Sequence, residues 1–113
     1  MSTETIIAGD QEIEVEVADS LISRVRGLSL RKKGKMLFKF PKFTRAKIDM
    51  MLLSKPLHLY FMDSDGVIIE TQEAKPWSWD PRSWKLYSPD RPYKYLLESF
   101  EDLGLEKGEI IDF

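Results

Sequence analysis

All three tryptophans of the chain fall in one proline-punctuated segment, Pro76-Trp77-Ser78-Trp79-Asp80-Pro81-Arg82-Ser83-Trp84. Indole and phenol rings present large apolar faces with a polar tip, so this spacing suits the stacking of a flat ligand. Tyr87, Tyr93 and Tyr95 follow closely, and the segment predicts a cleft formed by the 76–93 loop. Trp77, Trp79, Trp84 and Tyr87 would line it, with Tyr93 or Tyr95 approaching from a returning strand. Arg82 and Lys85, interleaved with the rings, would hold an acidic or phosphate-bearing group at the rim. The competing arrangement is a lid, in which the same rings are buried over an open end of a sheet.

Other residue types offer less. His58 is the single histidine and there is no cysteine, so one chain cannot build a His-His or Cys-His metal cluster, and no metal or cofactor is expected. Asp49 and His58 flank the Ser54-Lys55-Pro56 turn, and if their segments pair, an acid beside a histidine could move a proton. No serine or cysteine nucleophile motif accompanies them, and no glycine-rich phosphate loop is present. Asp63-Ser64-Asp65-Gly66 has the look of a calcium loop. However, an EF-hand needs an oxygen ligand two positions earlier and a glutamate six beyond the glycine, where Phe61 and Gln72 stand. Arg24, Arg26, Arg31, Lys32, Lys33 and Lys35 form the most basic stretch, a candidate phosphate or nucleic-acid patch set against the plainer reading of a solvated helix end and loop.

The elements that must position these groups follow from periodicity. Tyr60-Phe61-Met62 and Val67-Ile68-Ile69 are short apolar runs joined at Asp63 to Gly66, which predicts a central β-hairpin with glycine supplying positive φ. Glu12 to Val17 alternates acid with β-branched residue, so Ile13, Val15 and Val17 face a core. With Gly9 and Asp10 as the turn, residues 5–17 form a first hairpin. Asp19 or Ser20 can cap a short helix to about Arg26, with Gly27 ending it. Met36 to Phe40 reads as a strand stopped by Pro41, and Ala46 to Leu53 as another, so that three strands between Met36 and Ile69 would form a meander. A short strand at Trp84 to Tyr87, one at Tyr95 to Phe100, and a closing strand at Ile110 to Phe113 complete the order.

Composition bounds the function classes. The 113 residues carry 17 basic and 19 acidic side chains, a formal net charge of −2, so no global field draws the chain to nucleic acid or anionic membrane. Nucleic acid is therefore an unfavoured partner. No window approaches the roughly 18 uninterrupted apolar residues of a membrane span, and MSTETIIAGD has neither a basic n-region nor an apolar h-region. A cytoplasmic location is expected.

VEVADS, RVRGLSLR, MLFKFP, LHLYFMDSDGVIIE, KPW, YKYLLE and LEKGEIIDF resemble, in that order and across residues 15–113, domain of unknown function family 192, also called uncharacterised protein family 0127. The short Lys75-Pro76-Trp77 turn resembles its archaeal branch. The resemblance implies a compact β-rich fold with little helix, and it implies no particular activity. Where many bacterial members carry an aromatic, methionine, lysine, asparagine and threonine run, this chain has Asp49 to Leu53, and where they carry an aspartate after proline and leucine, it has His58. The combined expectation is one α+β domain over residues 1–113, mostly antiparallel sheet curled toward a small barrel or sandwich, with one helix near residues 20–26. Its expected function is a noncatalytic binding or accessory domain for a small molecule or peptide. The alternatives are phosphate or nucleic-acid binding through residues 24–35 and an enzyme using Asp49 and His58.

Overall fold

The computed structural model describes residues 2–18, 34–50, 53 and 55–113. Among them lie seven strands, β1 (Ser2–Ala8), β2 (Gln11–Ala18), β3 (Lys35–Thr44), β4 (Leu57–Met62), β5 (Ile68–Ala74), β6 (Tyr93–Ser99) and β7 (Ile111–Asp112), and one 3-10 turn at Pro81–Ser83. They make a single sheet in the order β5-β4-β6-β3-β2-β1-β7. The predicted helix near residues 20–26 lies outside the described residues.

Both predicted hairpins form where local chemistry dictates them. Gly9, at φ +65°, turns β1 into β2, and Ile13, Val15 and Val17 are buried while Glu12 and Glu14 face water. Between β4 and β5, the Asp63 carboxylate accepts hydrogen bonds from the Asp65 and Val67 amides at 2.9 and 3.0 Å, and Gly66 takes φ +78°. Gly66 is required for a second reason. A Cβ there would lie 2.5 Å from the Ile111 carbonyl oxygen, because residues 108–111 close the curl: the Ile111 amide donates to the Gly66 carbonyl at 2.9 Å and the Gly108 amide to Ile68 at 2.8 Å. The same segment continues as β7 along β1, so the two edges of the sheet meet at one end.

Three local expectations are corrected. The meander does not form, because β6 lies between β3 and β4. The described residues of the 46–53 stretch do not make a strand: a single bridge joins Ile48 to Tyr87, and Met50 and Leu53 pack down onto the sheet. Pro41 does not end β3, which runs through it at a break in register between Lys39 and Thr44, a place where a missing N–H is tolerated. Among the described strand pairs five are antiparallel and one, β2 with β3, is parallel. The sixteen residues between Ala18 and Lys35 are long enough for the crossover that a parallel pair needs.

The sheet is buried on both faces, as the near-continuous apolar runs of β4 and β6 require. One face carries Met36, Phe38, Leu59, Phe61, Leu96 and Tyr93 beneath Met50, Leu53, Tyr87 and Trp77. The other carries Leu37, Tyr60, Met62, Ile68 and Leu97 against Ile6, Ile13, Val15 and Leu105.

Candidate functional site

The loop between β5 and β6 holds the tryptophans in a frame of its own hydrogen bonds. Asp80 caps the 3-10 turn by accepting from the Arg82 amide at 3.0 Å, and Pro81 at the first position has no amide to leave unpaired. The Ser78 amide donates to Ser83 Oγ at 2.8 Å, and Ser83 Oγ–H donates to the Asp80 carbonyl at 2.7 Å. Across this knot Trp77 Nε1–H donates to the Lys85 carbonyl at 2.9 Å and Trp84 Nε1–H to the Ser78 carbonyl at 2.8 Å. Each indole thereby satisfies its polar edge on the loop backbone, and the two rings stack at 6.1 Å and 28°.

The loop is tied to the sheet at both ends. Trp77 packs against the buried cluster. Tyr87 exchanges backbone hydrogen bonds with Ile48 at 2.7 and 2.9 Å, and its hydroxyl accepts from the Lys75 amide at 3.1 Å. Between these anchors Trp79 stands 98 % exposed and Trp84 53 % exposed, so the lid arrangement, which buries all three rings, is not what forms.

The other expected lining residues divide. Tyr87 is buried with Lys85 Nζ 5.2 Å from its ring centre. Arg82 forks onto the Asp80 carboxylate, with contacts of 2.8 and 3.0 Å to Oδ2. This pairing draws the Asp80 carboxyl below its usual range and raises the Arg82 guanidinium, so Arg82 braces the turn, while the Lys85 ammonium lies over the Tyr87 ring. Tyr93 and Tyr95 do not join the loop surface. The register break opposite β3 puts them on different faces. Tyr93 is fully buried against Phe61 and Phe40 with its hydroxyl donating to the Ala46 carbonyl at 2.7 Å, and Tyr95 meets Phe113 on the other side.

Asp49 and His58 are likewise not brought together. β4 is flanked by β5 and β6, and His58 is in register with Glu73 and Ser99, on the face that carries Tyr60. Asp49 sits beside Met50 over the opposite face, where its charge acts on Glu98. The pair fails because Ile48, Met50 and Leu53 pack over the sheet instead of extending it. Of the basic stretch, Arg24, Arg26, Arg31, Lys32 and Lys33 lie outside the described residues, and Lys35 is half-buried on β3 with Glu101 at 3.5 Å.

One titratable group was not anticipated. Glu98 on β6 is buried between its cross-strand neighbours Met36 and Leu59. Burial, followed by the charge of Asp49, pushes its carboxyl up to about 8, and burial, followed by the charge of Glu98, raises the Tyr93 hydroxyl. The available signal was its spacing, two residues beyond Leu96, which strand alternation assigns to the same buried face. Among the described residues no group of three or more histidine or carboxylate side chains is arranged to hold a metal ion.

A match to DUF192, uncharacterized ACR, extends over residues 3–113. The chain belongs to this family. DUF192 relatives bearing the UPF0127 name include a Pyrococcus furiosus protein 30% identical over 108 residues, covering 89% of this chain and 87% of its own length. A Pyrococcus abyssi protein is 31% identical over 99 residues, covering 85% and 77% respectively. Among solved structures, a candidate transcription regulator from Sinorhizobium meliloti 1021 superposes with a TM-score of 0.78 at 25% identity, over 96% of this chain and 89% of that one. A protein of unknown function from Novosphingobium aromaticivorans superposes at 0.76 and 18% identity, over 96% and 82%. The fold is therefore shared between archaeal-like and bacterial chains, and apart from the transcription-regulator description of the Sinorhizobium protein these proteins carry no specific activity in their names. Among the described residues no helix is long and apolar enough to cross a membrane.

Proposed function

We propose that this chain is a small noncatalytic binding domain whose recognition surface is the tryptophan loop, with Trp79 and the Trp77–Trp84 stack presented to a flat or aromatic ligand. The observation that carries this reading is the 98 % exposure of Trp79 on a loop whose backbone is already pinned by Ser78, Asp80 and Ser83. A ring held out on a rigid loop costs little conformational entropy when a partner arrives. Lys85, whose ammonium lies over Tyr87 on the same loop, would hold an acidic group of the ligand. The ligand class is a small molecule or an aromatic peptide, and the proposal sets this binding in the cytoplasm.

The test is a metabolite and peptide screen read by the fluorescence of a variant retaining Trp79 alone. Ligands should shift or quench that emission, and Trp79→Ala in the otherwise intact chain should weaken binding about tenfold, the size of one aromatic stacking contact. Affinity unchanged in Trp79→Ala would refute the reading.

A further inference from the structure

On the far side of β4, away from the tryptophans, a cavity of about 310 Å³ opens between the β4–β5 hairpin and residues 102–106. Its wall is made by His58 and Tyr60 of β4 with Thr71 and Glu73 of β5. A phenol helps fasten the covering segment, beside the buried Leu105: Tyr60 Oη accepts from the Leu103 amide at 3.0 Å and donates to Asp102 Oδ1 at 3.4 Å. Asp102 Oδ1 also accepts from the Gly104 amide at 2.9 Å. The phenol, buried and facing Asp102, has its ionisation pushed up, so it stays a neutral donor and acceptor at the cavity's inner end.

The lining is one-sided in charge. Glu73, Asp102 and Glu106 all border the cavity, whereas no lysine or arginine among the described residues does. None of the three carboxylates is engaged in an ion pair among the described residues. Their attachment differs: Glu73 rises from the strand floor opposite His58, and Asp102 and Glu106 come from the covering segment. They thus stand around the opening without converging on a point, which is why no metal-ligating group of three appears. A compact dehydrated ion needs convergent oxygens at about 2.0–2.6 Å. An organic cation with its charge spread along a short chain, and apolar carbons to lay against the Tyr60 ring and Leu105, suits separated carboxylates and a room of this size.

We propose that the cavity between the β4–β5 hairpin and residues 102–106 is a binding site for a small organic ammonium ion, with Glu73, Asp102 and Glu106 as counter-charges and Tyr60 as its inner wall. The site is independent of the tryptophan loop. His58, placed where the resemblance led one to expect an aspartate, contributes a ring edge that hydrogen-bonds the ligand and leaves the net charge of the cavity negative.

The experiment is calorimetric titration of the full chain with 1,4-diaminobutane, with 1,4-butanediol and succinate as isosteric neutral and anionic controls, and with calcium and magnesium chloride as metal arms. The diamine should bind saturably and more weakly as salt rises, and the diol and succinate should not bind. Glu73→Gln and Glu106→Gln change exposed side chains, so both variants should keep the native circular dichroism spectrum. Each should weaken the diamine roughly threefold, and together about tenfold, as expected for partly solvated charge pairs. Thr71→Lys, which places an ammonium on the cavity wall from an exposed strand position, should abolish binding without either carboxylate being touched, so the proposal stays testable if a glutamine variant misfolds. Trp79→Ala should leave diamine affinity unchanged. Absence of saturable diamine binding, equal binding of succinate, tighter binding of either metal ion, or affinity indifferent to both Thr71→Lys and the double glutamine variant would each overturn the assignment.

Discussion

Replacing Glu98 by glutamine should free the fold's stability from pH in the neutral range and should make the protein more stable at alkaline pH. In the folded chain burial holds this carboxyl protonated up to about 8, against an ordinary 4.5. Between those values an unfolded chain has released the proton that the folded chain retains, so raising the pH favours unfolding. The contribution is fully present below about 4.5, falls as pH rises, and levels off above about 8. A shift of this size corresponds to about 5 kcal/mol in all, of which about 4 kcal/mol is lost between pH 5 and pH 9. That is a large share of the 5–15 kcal/mol typical of a domain. Glutamine matches the protonated acid in shape and keeps an oxygen and a donor in the slot between Met36 and Leu59. Urea unfolding followed by tryptophan fluorescence should give similar midpoints for the two proteins at pH 5, with the Glu98→Gln variant ahead by about 4 kcal/mol at pH 9. Stability curves that run parallel from pH 5 to pH 9 would refute the reasoning, because they would mean that Glu98 ionises in the folded protein without cost.

Two further outcomes follow from the turns and the covering segment. Gly9 and Gly66 both have positive φ, but a Cβ meets nothing within 4 Å at Gly9 and the Ile111 carbonyl at 2.5 Å at Gly66. Gly9→Ala should therefore cost about 1 kcal/mol, the left-handed penalty alone, and Gly66→Ala about 2–4 kcal/mol by urea denaturation; equal costs would mean that residues 108–111 yield freely. Tyr60→Phe leaves the Leu103 amide without its acceptor and should cost about 1–2 kcal/mol while speeding hydrogen exchange at Leu103 and Gly104, and unchanged exchange there would show that the phenol does not hold the segment.

How much could be read in advance depended on how local each signal was. The turns at Gly9 and at Asp63 to Gly66 are written in adjacent residues, and the alternation from Glu12 to Val17 states both a strand and its buried face. The place of β6 is written nowhere locally: Tyr93 to Ser99 pairs with residues more than thirty positions earlier on both sides, and an apolar strand bears no mark of its neighbours. The alternation of Ile48, Met50 and Leu52 in the sequence mimics a strand, yet Ile48 and Met50 pack over the sheet, because a segment lying flat on a sheet also buries side chains at short intervals. Pro41 misled for a related reason, since its missing amide forbids a regular ladder but not a break in one. At the loop, the clustering of Trp77, Trp79 and Trp84 was visible from spacing alone, whereas the diversion of Arg82 to Asp80 depends on the 3-10 turn that brings them together. Tyr93 and Tyr95, two apart, should share a face by simple alternation, and only the break in register sends them to opposite sides.

The position of β6 also governs how the chain can come together during synthesis. Among the described residues the β1-β2-β3 ladder and the β4-β5 hairpin are joined only through segments made later, residues 93–99 between β3 and β4 and residues 108–112 at the outer edges. When the first 74 residues have left the ribosome, the only strand pairings of the final sheet open to them are β1-β2-β3 and β4-β5, each leaving one apolar edge, β3 or β4, without its β6 partner. Those edges are the ones most able to recruit a neighbouring chain, and the delay in covering them lasts as long as translation of the tryptophan loop and β6. The late strand therefore acts as a zipper slider whose arrival is set by the length of the loop before it, so a long insertion into residues 76–92 should lengthen the interval in which nascent chains can pair with one another.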